Sequence, residues 1–115
     1  MHELAITESM VATVAEHVGE ARVARLRVQV GSLAGVVPHA LRFCFEICAR
    51  GTVLEGAALE IDEIPARGSC RQCGAEIAMA SFLDFCRCGS AELELLAGQE
   101  LRIKHVEVQV QTEVQ

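Results

Sequence analysis

From Leu4 to Val18 the apolar residues Leu4, Val11, Val14, Ala15 and Val18 recur at helical spacing, with Glu8, Thr13 and Glu16 off that stripe. Gly19 is placed to stop the helix. The pattern then changes period. In "ARVARLRVQVG", Ala24, Leu26, Val28 and Val30 alternate with Arg25, Arg27 and Gln29, which predicts a half-buried strand. Pro38 suits the first turn of a second helix, where its missing N–H costs nothing. Leu41, Phe45 and Cys48 line one side of that helix, Cys44 widens the stripe, and Gly51 can end it.

"ALEIDEI", Ala58 to Ile64, alternates again, with Leu59 and Ile61 expected inward and Glu60 and Asp62 outward; Pro65 closes the strand. The last apolar stretch, "ELRIKHVEVQV", is a strand with a phase fault. Leu101 and Ile103 share one parity, while Val106, Val108 and Val110 take the other. A β-bulge near Lys104 or His105 would bring both sets to one face, and a twist carrying the strand between layers would serve as well. The order is helix, strand, helix, strand, cysteine-rich segment, strand. It predicts an α+β fold of two helices on a three-stranded β-sheet, with a four-cysteine zinc-ribbon module inserted before the last strand. Residues 1–66, completed by a returning strand at 97–115, would form the main domain, and residues 67–96 the module.

Composition narrows the function. The 115 residues fit one domain with a small appendage, and 51% apolar residues supply a modest core that is aliphatic, because there is no Trp or Tyr and only four Phe. A net charge of −6 opposes nucleic-acid binding, which needs a basic face. No apolar run approaches the ~20 residues that cross a bilayer. The first residues lack a basic stretch followed by an apolar one, so a cytoplasmic location is expected. In a reducing compartment six cysteines point to metal more than to disulfides.

The segment "GSCRQCGAEIAMASFLDFCRCGS" pairs Cys70 with Cys73 as C-x-x-C, and Cys86 with Cys88 as C-x-C. Gly74 and Gly89 follow the two pairs and permit the tight turns of zinc knuckles. Four thiolates suit tetrahedral Zn²⁺ and leave no open position for catalysis. The −2 charge of such a site could be offset by Arg67, Arg71 and Arg87 nearby in sequence. Disulfides, unrelated buried thiols and a rubredoxin-like iron site are the alternatives. Cys44 and Cys48, four apart on the second helix, read as core residues instead.

The chain opens Met1-His2-Glu3, and a bulky His2 is expected to leave Met1 in place. The terminal amine, the His2 amide and the His2 imidazole can then close five- and six-membered chelate rings around one ion. Nickel(II) and copper(II) favour planar nitrogen sites of this kind, and zinc gains little from them. The Glu3 amide, the Glu3 carboxylate or a partner's group could supply the fourth donor. Of the other histidines, His17 sits at the C-terminal end of the first helix, where a cation is favoured. His39 lies in the first turn of the second helix, and His105 lies at the suspected bulge, solvated, packed or near a metal. No nucleophile, general base or phosphate loop is recognisable, so the chain does not read as an enzyme.

With "MHELAI", "VGSLAGVVP", "LRFCFEICARGTVLEGAALEI", "CRQCG", "CRCGS" and "GQELRIKHVEV" in this order, the chain resembles the HypA/HybF family of hydrogenase nickel-incorporation proteins over essentially its whole length. "FCRCGS" departs from the four-residue C-P-x-C knuckle common in that family. The resemblance implies nickel(II) held as transient cargo through Met1, His2 and Glu3, and structural zinc held by Cys70, Cys73, Cys86 and Cys88. It further implies work with a GTPase partner in loading the large subunit of [NiFe]-hydrogenases and, in some organisms, urease; homodimerisation stays open. The alternative is a zinc-ribbon adaptor that binds proteins and carries no nickel.

Overall fold

The computed structural model describes His2–Gln109. Its elements in chain order are α1 (His2–Val18), β1 (Val23–Gly31), α2 (Pro38–Ala49), β2 (Ala58–Ile64), β3 (Arg67–Cys70), β4 (Glu76–Ala78), β5 (Leu93–Ala97) and β6 (Leu101–Val108). Two three-stranded sheets result, ordered β2-β1-β6 and β4-β3-β5. The two helices, the first sheet and the inserted cysteine-bearing segment agree with the α+β expectation. Among the described residues, no helix is long and apolar enough to cross a membrane.

By its contacts the chain divides into two compact units. One comprises the described residues of Met1–Val28, Val37–Ile61 and Ile103–Gln115; the other comprises Gln29–Val36 and Asp62–Arg102. In the first unit α1 packs on α2. Its core holds Val11 and Val14 of α1, Val23, Leu26 and Val28 of β1, Leu41, Cys44, Phe45 and Ala49 of α2, and Leu54. Helix α2 begins as its sequence requires, with Pro38 at the first helical position after an extended Val37.

Thr7, which the apolar stripe passes over, is fully buried in α1. A hydroxyl can be buried there because it bonds back to carbonyls of its own helix, the Glu3 and Leu4 oxygens each at 2.9 Å.

Strand β1 follows the expected alternation from Leu26 onward but not at its start. Val23 is buried and Ala24 exposed, the reverse of the expected inward Ala24. The larger Val23 side chain fills the interior, and its N–H bonds the Val53 carbonyl at 2.9 Å. The outward arginines form a ladder across neighbouring strands. Arg25 meets Glu60 of β2 at 3.3 Å and Glu107 of β6 at 3.6 Å, and Arg27 meets Glu60 at 3.4 Å. Such exposed pairs fix register more than they stabilise. In β2 the expected alternation is absent, since Leu59, Glu60, Ile61 and Asp62 are all half-buried.

In β6 the half-buried residues are Ile103 and Val106, three apart, so the change of parity falls between them. Leu101, expected to share a face with Ile103, is exposed. Val110 lies outside the described residues.

The second unit is more regular than its sequence suggests. Strand β3 pairs antiparallel with β4 through Arg67↔Ala78, Gly68↔Ile77 and Ser69↔Glu76. On its other side it pairs with β5 through Gly68↔Leu95, Ser69↔Glu94 and Cys70↔Leu93, with a register shift between Arg67 and Gly68. Runs of three to five residues are too short to reveal a period of two, which is why the sequence shows only cysteines and turns here.

Candidate metal centre

Cys70 ends β3, and its N–H reaches across the following turn to the Ala75 carbonyl at 2.8 Å. Gly74, at φ 79°, closes that turn by donating to the Cys70 carbonyl at 2.9 Å. Only a residue free to take positive φ turns the chain so sharply, and Gly89 does the same at φ 91°, donating to the Cys86 carbonyl at 2.8 Å. The second turn is locked by the Cys86 N–H on the Ser90 carbonyl at 2.9 Å. Two knuckles thus present their sulfurs to one point.

All four Sγ atoms lie within 4.8 Å of one another. The short approaches run between knuckles: Cys70 to Cys88 at 3.7 Å and Cys73 to Cys86 at 3.5 Å. A tetrahedron with Zn–S bonds of about 2.3 Å has edges of about 3.8 Å. The sulfurs therefore fit a single tetrahedral ion. The short Cys86-Arg87-Cys88 spacing is no obstacle, because each of its sulfurs faces a cysteine of the other knuckle. Cys70 and Cys86 are buried, Cys73 and Cys88 exposed, so one side of the site meets solvent. There Cys73, Cys86 and Cys88 line a 360 Å³ cleft with Ala75, Glu76, Ile77 and Arg87.

The thiols are electrostatically unequal. The Cys73 N–H, 3.4 Å from the Cys70 sulfur, together with the Gln72 N–H and the neighbouring thiols, holds Cys70 down at about 6. For Cys88 the Ser90 N–H pulls downward, but the Cys70 and Cys86 sulfurs outweigh it and push the thiol up to about 11. Cys73 is raised likewise: the Ala75 N–H lowers it, and the Cys86 and Cys70 sulfurs raise it further. One sulfur ionises early and its charge opposes the others. A divalent cation removes that conflict.

Of the arginines expected beside the site, Arg87 lines the cleft, whereas Arg67 is engaged with Glu76 at 2.7 Å. Around the same loop Phe82, Leu83 and Phe85 are all exposed, Leu83 by 85%. The loop is held by the Ala80 N–H on the Asp84 carboxylate at 2.6 Å and the Leu83 N–H on the Ser81 hydroxyl at 2.8 Å.

The N-terminal residues lie on the other unit. Met1 is outside the described residues. His2, the first residue of α1, is exposed. The Glu3 carboxylate accepts the Val37 N–H at 3.1 Å, at the entrance to α2. That bond, together with the Glu3 N–H itself, lowers the Glu3 pKa below its ordinary value. The Val37 position has no side-chain cap of its own, so Glu3 serves this helix start from outside. His17, His39 and His105 are exposed, and His105 lies 3.5 Å from Glu107. Among the described residues the four cysteines form the one group of three or more such side chains arranged to hold a metal. Cys44 is buried and Cys48 half-buried, as core packing requires.

The model of the family described as "Hydrogenase/urease nickel incorporation, metallochaperone, hypA" matches residues 1–108. The hydrogenase maturation factor HypA of Trichormus variabilis is 52% identical over 109 residues, covering 95% of this chain and 96% of that protein. That of Nostoc punctiforme is 51% identical with the same coverage. The fold is similar to the solution structure of the Ni metallochaperone HypA from Helicobacter pylori, at a TM-score of 0.65 and 21% identity, covering 95% of this chain and 98% of that one.

Proposed function

This chain belongs to the HypA family, and we propose on that basis that it is a nickel metallochaperone of hydrogenase maturation. It carries Ni(II) on Met1, His2 and Glu3 and delivers it, with a GTPase partner, to the large subunit of a [NiFe]-hydrogenase; urease is a second recipient for the same cargo. The observation that carries the reading is the placement of an exposed His2 and a half-buried Glu3 at the start of α1. The first four N–H groups of a helix have no carbonyl of their own helix to bond. The His2 and Glu3 amides are therefore not withdrawn into the helix ladder, and nickel(II) can displace their protons while the imidazole and terminal amine complete a planar nitrogen set. Release follows from the same arrangement, since a partner's donors can replace these ligands one at a time.

Cys70, Cys73, Cys86 and Cys88 hold structural zinc in this proposal, and when bound the ion cross-links the two knuckles. The closed thiolate shell gives no position for substrate, so the protein works by binding and release and not as a catalyst. Residues 1–66 with 97–115 serve nickel, and residues 67–96 serve zinc and partner recognition. The setting is the cytoplasm, where thiols stay reduced.

A second reading, a zinc-bearing adaptor without nickel cargo, draws on the exposed Phe82, Leu83 and Phe85. Metal analysis of protein with its native N-terminus decides between them. The chaperone binds one nickel per chain beside its zinc, and either His2→Ala or one residue added before Met1 abolishes the nickel and spares the zinc. Stoichiometric nickel in those variants, or its absence from the unaltered chain, refutes the proposal.

A further inference from the structure

Thr7 is fully buried and is the one buried polar or charged residue among those described. Its hydroxyl lies 2.9 Å from the Glu3 carbonyl and 2.9 Å from the Leu4 carbonyl. The same oxygen lies 3.5 Å from the Cys48 sulfur on α2. A hydroxyl has one proton and two lone pairs. Shared between the two carbonyls, the proton leaves the oxygen free to accept from the Cys48 thiol. A polar chain therefore runs from α2 through Thr7 to the backbone of residue 3.

Glu3 is consequently gripped at two points, its carbonyl by Thr7 and its carboxylate by the Val37 N–H at 3.1 Å. Both grips lie on the far side of its Cα from its amide. A helix end without such ties frays, because its first turn is its least stable part.

We propose that Thr7 is the positioning residue of the nickel-carrying terminus: with Cys48 and Val37 it pins residue 3 to the start of α2 and to its Cys48 face, so that the ion held by residues 1–3 leaves slowly. The assignment rests on the nickel reading above. Thr7 touches no cargo and acts through Glu3 and Leu4.

The test uses the full chain with its native N-terminus and compares Thr7→Val, which keeps the shape and deletes the hydroxyl, with Thr7→Ser, which restores it. Each protein is loaded with one equivalent of nickel, and loss of nickel to excess EDTA is followed by absorbance. Thr7→Val is expected to bind nickel stoichiometrically but to release it about three- to tenfold faster, the loss of a hydrogen bond or two expressed as a rate. Thr7→Ser should return to the wild-type rate. Amide exchange at Thr7 and Glu8, whose N–H groups close the first turn, should quicken with the nickel release.

Unchanged release from Thr7→Val overturns the proposal. So does equally fast release from both variants with lowered thermal midpoints, which would make Thr7 a packing residue only. Should Thr7→Val not fold, as its zinc content and circular dichroism would show, Cys48→Ala removes the third partner alone. It is expected to speed release in the same direction, and no change there overturns the assignment. A wild-type chain that takes up no nickel fails earlier, at the nickel reading itself, and is distinguished by the absence of any loaded state to compare.

Discussion

The Gly98 backbone passes so close to Gly31 that a β-carbon at Gly31 would overlap the Gly98 carbonyl group and stand 2.6 Å from the Gln99 nitrogen. The approach is fixed by hydrogen bonds on either side, Gly31 N–H to the Glu100 carbonyl and Leu33 N–H to the Gly98 carbonyl, both at 2.7 Å. Gly98 is itself at φ 125° and rests on Ala66, whose β-carbon a new side chain at 98 would meet at 2.6 Å. This junction of three backbones leaves room for hydrogen atoms only.

Gly31→Ala should therefore be severe. The obstacle is backbone and cannot swing aside, so a loss of about 3 kcal/mol or more is expected. Gly35→Ala meets nothing within 4 Å and suffers only from its φ of 76°, at about 1 kcal/mol. Urea unfolding of the two zinc-loaded variants should rank them in that order.

Removing one knuckle sulfur should empty the metal site. Cys73→Ser or Cys86→Ser is expected to lower zinc from one per chain to near zero and to expose the β3, β4 and β5 amides to exchange, because metal binding and local folding are one equilibrium here. Cys44→Ser should leave zinc in place and cost stability instead. Elemental analysis with amide exchange separates the two effects.

Zinc uptake should release more protons as the solution becomes more acidic. At pH 7.5 the Cys70 thiol, held at about 6, is already ionised in the metal-free chain, while Cys73 and Cys88 must surrender protons. Below pH 6 Cys70 is protonated too, so about one further proton is displaced and zinc affinity falls more steeply with pH. Titration calorimetry in buffers of different ionisation enthalpy reads the number directly.

The Glu3–Val37 bond should register in acid. A carboxylate whose folded pKa is lowered adds stability that is complete above its unfolded value and is lost as pH falls through the folded one. Its contribution should therefore begin to fall as pH drops into the ordinary carboxylate range and be gone only once the lowered carboxyl is itself protonated. Glu3→Ala should flatten that part of the stability profile and speed amide exchange at Val37 at neutral pH, without changing zinc content.

Much of this molecule is written in its local chemistry. The limits of β2 are legible because Pro65 forbids continuation, and the start of α2 is legible because Pro38 fits a first helical turn. The four metal-binding cysteines are legible for a similar reason: a C-x-x-C or C-x-C with its glycine is a local device that works wherever the chain carries it. Thr7 was not. A threonine between two helix stripes carries no mark of burial until Cys48, 41 residues later, arrives beside it. Strands β3, β4 and β5 escaped because their lengths lie below any detectable period.

Sequence alone settled both helices, strands β1, β2 and β6, the sulfur set and the nitrogen-rich start, since each depends on spacing within a few bonds or turns. Tertiary structure decided which cysteines face each other, which residue braces the start of α1, and where two glycines let the backbones touch. Those outcomes depend on which distant segments share space, and one-dimensional order leaves that open until the core has packed.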